Sequence, residues 1–139
     1  MKLQLQLLIC IFLVIGIFSV SQNFIYSQTT QEEKKVELLS HKVEIGENSG
    51  KFIGQVHNRI NNNVDYVIII GTFYDETGEM IGSKSTYTKP SHLRSNMTAS
   101  FEMSLDDDIS NNIASYDVTI TWRYPGESEK YSNMYGLNQ

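Results

Sequence analysis

The stretch that decides the fold is "YDVTITWRY", residues 116–124. Apolar and polar side chains alternate along it without a break, so they lie on opposite faces of an extended chain. A period of two in β-branched and aromatic residues predicts a half-buried β-strand. The apolar face consists of Tyr116, Val118, Ile120, Trp122 and Tyr124, and the other face of Asp117, Thr119, Thr121 and Arg123.

Other segments carry the same signal at intervals of roughly ten residues. "MTASFEMSL" (97–105) and "KFIGQVHN" (51–58) alternate cleanly, and "LSHKVEI" (39–45) places Leu39, His41, Val43 and Ile45 on one face. The nearly continuous β-branched and aromatic run from 64 to 74 predicts a central strand, and the polar "EMIGSKSTYT" (79–88) predicts an edge strand, where Lys84 would discourage pairing with other chains. "YSNMYGL" (131–137) predicts a last short strand. Turn signals between these segments predict an all-β, antiparallel β-sandwich of about seven strands.

One segment breaks the strand pattern. In "SLDDDISNNI" (104–113), Ser104 stands three residues before Asp107, which resembles a capping box with acids in the first turn. We expect a turn or a single helical turn there, bridging the two sheets.

The N-terminus is unlike the rest of the chain. After "MKLQLQ" comes an apolar run, "LLICIFLVIGIFSV" (7–20), which is typical of a secretory signal peptide and short for a membrane span. We predict a signal peptide or membrane anchor over 1–27, a flexible tether over 28–35 and the sandwich domain over 36–139. The domain is therefore expected to be secreted or on the cell surface, with membrane contact only through an uncleaved N-terminal segment.

Composition excludes several classes of partner and chemistry. The formal net charge is −5, and the 11 Lys and Arg residues stand singly, apart from the pair Lys34–Lys35, whereas nucleic-acid binding needs concentrated positive charge. Cys10 lies inside the apolar run and is the sole cysteine, so the domain has neither a disulfide framework nor thiol chemistry.

Candidate metal ligands are few. The acids of 106–108 lack the spacers and the glycine of a calcium loop, so a helix cap or solvated loop is favoured. The three histidines lack zinc-site spacing. His92, Met97 and His57 are the residue types that copper carriers use, although core packing is the ordinary role of a methionine in a strand. No cofactor is predicted.

Catalytic motifs are missing from the sequence. It contains no GxSxG elbow and no phosphate-binding glycine loop, so we predict a protein that is not an enzyme. The sequon "NMT" makes Asn96 a candidate glycosylation site.

The stretch "IIIGTFYDETGEMIG" (68–82) holds the most site-like residues, Tyr74 and Asp75. We interpret them as the end of a strand and the start of a hairpin. Asp75 would accept backbone N–H bonds in the turn, and Gly78 would adopt a positive φ to close it.

The order of these segments resembles the FxLYD family of small immunoglobulin-like extracytoplasmic domains. The resemblance covers residues 36–123: a "GxVxN" strand, a strand ending in Tyr-Asp followed by "TGEMIG", a loop with Leu93 leading into "ASF", and "SYDVTITW". Gly71 stands where the family usually has Phe, and Phe73 where it has Leu. The resemblance implies an immunoglobulin-like fold and supplies no catalytic residue. The leader ending "SQNFIYSQ" resembles those of exported archaeal proteins.

The immunoglobulin analogy suggests a role for Tyr116 as a tyrosine corner, with its hydroxyl bonded to the preceding connection. Trp122 on the same face would fill the core. Two functions remain open: a non-catalytic interaction or structural module for a protein or glycan partner, and a small-ligand or copper carrier using the His and Met residues named above.

Overall fold

A computed structural model describes residues 35–46 and 49–138. The predicted leader over 1–27, and all but the last residue of the predicted tether over 28–35, lie outside the described residues. The elements are β1 (Val36–Ile45), β2 (Gly50–Asn58), β3 (Asp65–Tyr74), β4 (Met80–Tyr87), β5 (Thr98–Leu105), α1 (Asp107–Asn112), β6 (Ser115–Arg123) and β7 (Tyr131–Asn138). Within these residues, no helix has the length and apolar character needed to cross a membrane.

The seven strands form two antiparallel sheets. One has the order β1-β2-β5 and the other β4-β3-β6-β7. This is the strand order of an immunoglobulin domain, except that the fourth strand pairs with the third instead of joining the first sheet. The predicted fold class is confirmed, and so are the central position of β3 and the edge position of β4.

The core lies between the inner faces of the two sheets. Phe52 contacts the rings of Phe73, Phe101 and Tyr116 at centroid distances of 5.0 to 6.1 Å. Such tilted and edge-on contacts add to the stabilisation from burial. The alternation predicted for β2, β5 and β6 is confirmed, since Phe52, Val56, Ala99, Phe101, Met103, Leu105, Tyr116, Val118, Ile120 and Trp122 are all buried.

Strand β1 departs from the predicted alternation. A β-bulge between Leu38 and Ser40 shifts its register against β2, so Leu38 packs on the core and Leu39 is exposed. The prediction that Leu39 shares a face with His41, Val43 and Ile45 is wrong, because the extra residue of the bulge puts Leu39 on the other side of the strand. Ile45 is also exposed, but it lies at the end of β1 opposite Gly50, on the same side as Val43, which packs on the core. The bulge is accommodated by Gly54, where a Cβ would lie 2.2 Å from the carbonyl oxygen of Ser40.

Helix α1 connects β5 of one sheet to β6 of the other, as predicted, but it begins two residues later than a cap at Ser104 would place it. Ser104 lies within β5, and the N-cap is Asp106, which makes no side-chain capping bond. The capping-box prediction is therefore wrong: the alternation of β5 continues to Leu105 and keeps Ser104 in the strand. Lys84 of the edge strand forms an ion pair with Asp106.

The β3–β4 turn confirms the interpretation of Tyr74 and Asp75 as a hairpin. The Asp75 carboxylate accepts the N–H groups of Thr77 and Glu79 at 2.8 and 3.0 Å, and Gly78 has a φ of 81°. A bond from the Thr77 hydroxyl, together with these backbone bonds, holds the pKa of Asp75 below its usual value. Phe73 packs inward against Gly71, where a Cβ would lie 2.7 Å from the Phe73 ring. Gly at 71 and Phe at 73 are therefore sterically linked.

The prediction that the Tyr116 hydroxyl bonds to the preceding connection, as in a tyrosine corner, is wrong. The Tyr116 hydroxyl is hydrogen-bonded to Nδ1 of His41 at 2.7 Å, so it joins β6 to β1 of the facing sheet and not to its own preceding connection. Burial raises the pKa of Tyr116. Trp122 fills the core as expected, and its indole nitrogen has no hydrogen-bond partner in the described part of the chain.

Candidate interaction face

The outer surface of the four-stranded sheet, here called the front face, is the candidate functional site. The pairing register places its side chains in rows across β4, β3, β6 and β7. One row is Tyr87, Ile68, Thr121 and Ser132; the next is Ser85, Ile70, Thr119 and Met134; the third is Ser83, Thr72, Asp117 and Gly136.

The front face exposes large apolar side chains. Met134 is 75% exposed, Tyr87 is 53% exposed, and Met80, the first residue of β4, is 61% exposed. Ile68 and Ile70 are half-buried between their neighbours, while Ile69 between them is fully buried in the core. Both faces of β3 are therefore apolar, although only one of them packs on the core.

The outer surface of the three-stranded sheet, the back face, shows the contrast. Its strands carry ion pairs between Lys42 and Glu44 and between Lys51 and Glu102, all on exposed side chains. Charged residues of this kind are typical of a solvated sheet surface. The two outer surfaces of one domain therefore differ in character, and the front face is the one that solvation alone does not explain.

Charge on the front face is confined to two places. Asp117 lies in the third row, where its carboxylate accepts a hydrogen bond of 3.1 Å from the Tyr74 hydroxyl. This bond is the main reason why the pKa of Tyr74 is raised. The second place is Arg123, at the end of β6, beside the exposed Tyr66.

Tyr66 has an unusual backbone. Between Asp65 and Ile68 the β3–β6 register shifts, so that Tyr66 and Val67 stand opposite the single residue Trp122. This β-bulge gives Tyr66 a φ of 53°, a conformation that costs a non-glycine residue about 1–2 kcal/mol. Yet its side chain is 51% exposed and fills no core position. Strain held at an exposed aromatic residue is characteristic of functional sites.

Polar groups surround the Tyr66 ring. The guanidinium carbon of Arg123 lies 5.9 Å from the ring centroid, and the imidazole of His92 contacts the ring edge-on at 5.5 Å. His92 is in turn held by Asp65, with 2.8 Å between Nδ1 and Oδ1. The bulge therefore presents an exposed aromatic side chain flanked by an arginine, a histidine and a carboxylate at the end of the front face.

A buried asparagine supports this end of the sandwich. Asn58, with no exposed surface, donates from Nδ2 to the carbonyl oxygens of Asn62, Leu93 and Arg94 at 2.9 to 3.2 Å. Its Oδ1 accepts the N–H of Ile60 at 3.0 Å. The β2–β3 and β4–β5 loops are thereby joined through one side chain, which also fixes the segment that carries His92.

The structure separates the copper candidates. His92 and Met97 line the same recess beside Asp65 and Arg94. His57 is engaged elsewhere, with its ring nitrogens 2.9 Å from Thr98 Oγ1 and 3.0 Å from Asn96 Oδ1. Among residues 35–46 and 49–138, no group of three or more His, Cys, Asp or Glu side chains could hold a metal ion.

The candidate glycosylation residue Asn96 is exposed and has a φ of 61°. The Asn and Thr side chains of the sequon both contact His57, the Asn96 contact being made through Oδ1. A glycan would attach to Nδ2, which this contact does not use. Glycosylation of Asn96 stays a prediction.

The front face cannot be recognised in any single segment of the sequence. The unbroken apolar run of β3 predicts a central strand, which is right but does not account for the apolar outer side of that strand. The missing signal was that β7 and β3 from Ile68 to Tyr74 carry no charged residue, and that β6 carries only Asp117 and Arg123. Which strands are neighbours had to be known before those positions could be added together.

Comparisons with known proteins do not assign this chain to a family. No model of a protein family matches the chain, and no curated protein is similar to it. The chain is similar to part of a β-glucuronidase from glycoside hydrolase family 2, with 14% sequence identity and a TM-score of 0.34. That match covers 77% of this chain and 11% of the enzyme, so no activity carries over. The resemblance to the FxLYD family stays a prediction.

Proposed function

We propose that this protein is an exported, non-catalytic interaction module whose front face and Tyr66 cluster bind a protein or glycan partner. The observation that carries the proposal is the strained, exposed Tyr66, held by a bulge at the edge of an almost uncharged sheet surface. Tyrosine and arginine are the residues that most often dominate binding energy at interfaces. An apolar centre with a polar rim is the usual anatomy of such a surface.

Rigidity favours binding at this place. Tyr66 lies next to Val67, a fully buried residue, and its flanking histidine is fixed by Asp65. A backbone anchored in this way loses little conformational entropy when a partner binds, so more of the contact energy appears as affinity. The export part of the proposal is supported by the apolar run at 7–20.

The proposal is tested by photocrosslinking in native membranes with the full chain. Tyr66 is replaced by benzoylphenylalanine, which keeps an aromatic side chain of similar shape, and adducts are identified by mass spectrometry. The control places the same amino acid at Gln55, an exposed position in the middle of the back face. We expect adducts from position 66 that position 55 does not give.

A glycan partner would escape protein crosslinking, so binding to a glycan array is measured in parallel. Tyr66→Ala should lose any specific glycan signal, and Gln55→Ala should keep it. Equal adducts from both positions, or no adduct and no glycan dependent on Tyr66, would refute the proposed face.

A second proposal, a copper carrier, is favoured by one observation: His92 and Met97 line the same recess. Imidazole and thioether ligands suit copper in its two oxidation states. Native mass spectrometry with Cu(I) and Cu(II) tests it. Stoichiometric binding that is lost in both His92→Ala and Met97→Leu would support the carrier, and binding that survives both substitutions would eliminate it.

A further inference from the structure

We infer that the partner of the front face is a second copy of this chain, packed face to face about a two-fold axis. This inference rests on the proposed function, because it names the occupant of the same surface. It starts from the distribution of charge over the two outer surfaces of the sandwich.

A front face with so little charge can pack on a copy of itself. The chain carries a net charge of −5, so two copies repel each other at most orientations. On the front face, the three rows of side chains across β4, β3, β6 and β7 contain a single carboxylate, Asp117. This carboxylate is already hydrogen-bonded to Tyr74. A surface with so little charge can meet an identical one with few like charges brought together, whereas packing back to back would remove the exposed Lys and Glu residues of the back face from water.

The size of the front face fits a weak dimer. Four strands spaced at about 4.8 Å, each about eight residues long, cover roughly 500 Å² on each copy. The two copies together would bury about 1,000 Å², which is the lower limit for a specific protein interface. Two twisted sheets of equal hand pack face to face with their strands nearly aligned, as the two sheets of a sandwich do.

We expect the two-fold axis of the dimer to pass through the centre of the front face. Thr119 is half-buried and lies on the inner strand β6 in the middle row, between Ile70 and Met134. A two-fold axis through this centre brings Thr119 close to Thr119 of the other copy. Dimerisation through the uncharged edge of β7 would instead separate the two Thr119 residues by about three strand spacings, or roughly 14 Å.

The experiment measures self-capture of the full chain. Two copies with different C-terminal tags are co-expressed, one is captured, and the other is quantified. Thr119→Lys in both copies, or Thr119→Glu in both copies, should lower co-capture at least tenfold, because the substitution acts twice at a symmetric interface. Thr119→Lys in one copy with Thr119→Glu in the other should restore it to within about threefold of the original chain, since opposite charges then meet at the axis.

The matched control is Gln55, on the middle strand of the back face, changed to Lys or Glu in the same way. These variants should keep full co-capture. Recovery in the mixed Lys and Glu pair also shows that each variant folds.

Three outcomes would overturn the inference: no co-capture of the unsubstituted chain, unchanged co-capture in the Thr119 variants, or equal losses in the Gln55 variants. If self-capture fails while benzoylphenylalanine at position 66 still captures another protein, the proposed function stands and only the second copy is wrong. If neither is seen, both fail.

Discussion

Replacing Asn58 with alanine should destabilise the domain by about 2–4 kcal/mol. Two of its acceptors keep another donor, because the Leu93 carbonyl also accepts from Val64 and the Arg94 carbonyl from Met97. The N–H of Ile60, in contrast, bonds to Asn58 Oδ1 and is left without a partner in a buried position. A buried unsatisfied group costs about 1–3 kcal/mol, and the remaining lost hydrogen bonds add about 1 kcal/mol.

The assay is urea unfolding followed by the fluorescence of Trp122, the single tryptophan of the chain, which is buried in the core. For a domain of this size the midpoint should fall by about 1–2 M urea. Asn61→Ala, an exposed asparagine in the same loop, is the control and should change stability by less than about 0.5 kcal/mol. Asn58→Asp keeps the shape but puts an oxygen atom in place of Nδ2, facing three carbonyl oxygens, so it should be at least as unstable as Asn58→Ala at neutral pH. A midpoint for Asn58→Ala that coincides with the control would show that the loops are not held by this side chain.

Three further outcomes follow from the geometry. Tyr66→Gly relieves the positive φ, so it should destabilise the domain by about 1–2 kcal/mol less than Tyr87→Gly in thermal or urea unfolding. Tyr87 is the control because it is about equally exposed and has no positive φ, and equal losses of stability would mean that Tyr66 is unstrained. Tyr116→Phe removes the bond to His41 and should lower stability by about 0.5–1.5 kcal/mol, and an unchanged melting temperature would contradict this. The lowered pKa of Asp75 stabilises the folded state above the unfolded value of 3.8, and this stability is lost as the pH falls through the lower folded value. In Asp75→Asn, the free energy of unfolding should therefore fall less steeply with decreasing pH below about pH 4. A pH dependence in this range identical to that of the unsubstituted chain would exclude the Asp75 carboxylate as its source.

The sequence by itself determined the strands that obey a period of two. Side chains of alternate residues leave a strand on opposite faces, so the inward sets of β2, β5 and β6 could be assigned from residue type alone. The turn after Tyr74 was equally local, because Asp75 and Gly78 act within five residues of chain. These elements needed no knowledge of which strands are neighbours.

The errors all occurred where a distant part of the chain decides. Leu39 is exposed because a bulge fits over Gly54 on the next strand, and Ser104 stays in a strand because β5 pairs with β2 as far as Leu105. The Tyr116 hydroxyl finds His41, 75 positions away in sequence, across the sandwich. Neither the bulge in β1 nor the bond between Tyr116 and His41 has a signal within its own segment, whereas Ser104 lay in two competing local patterns.

The candidate site belongs to the same category. Ile70, Thr119, Met134 and Tyr87 come from four strands and look ordinary in each of them. Only the order β4-β3-β6-β7 brings them onto one surface, and only the bulge opposite Trp122 turns Tyr66 outward at its end. Periodicity records which side of a strand is apolar, whereas strand order and register decide which apolar sides lie together. That is why the sequence determined the core of this protein and the tertiary structure alone decided its front face.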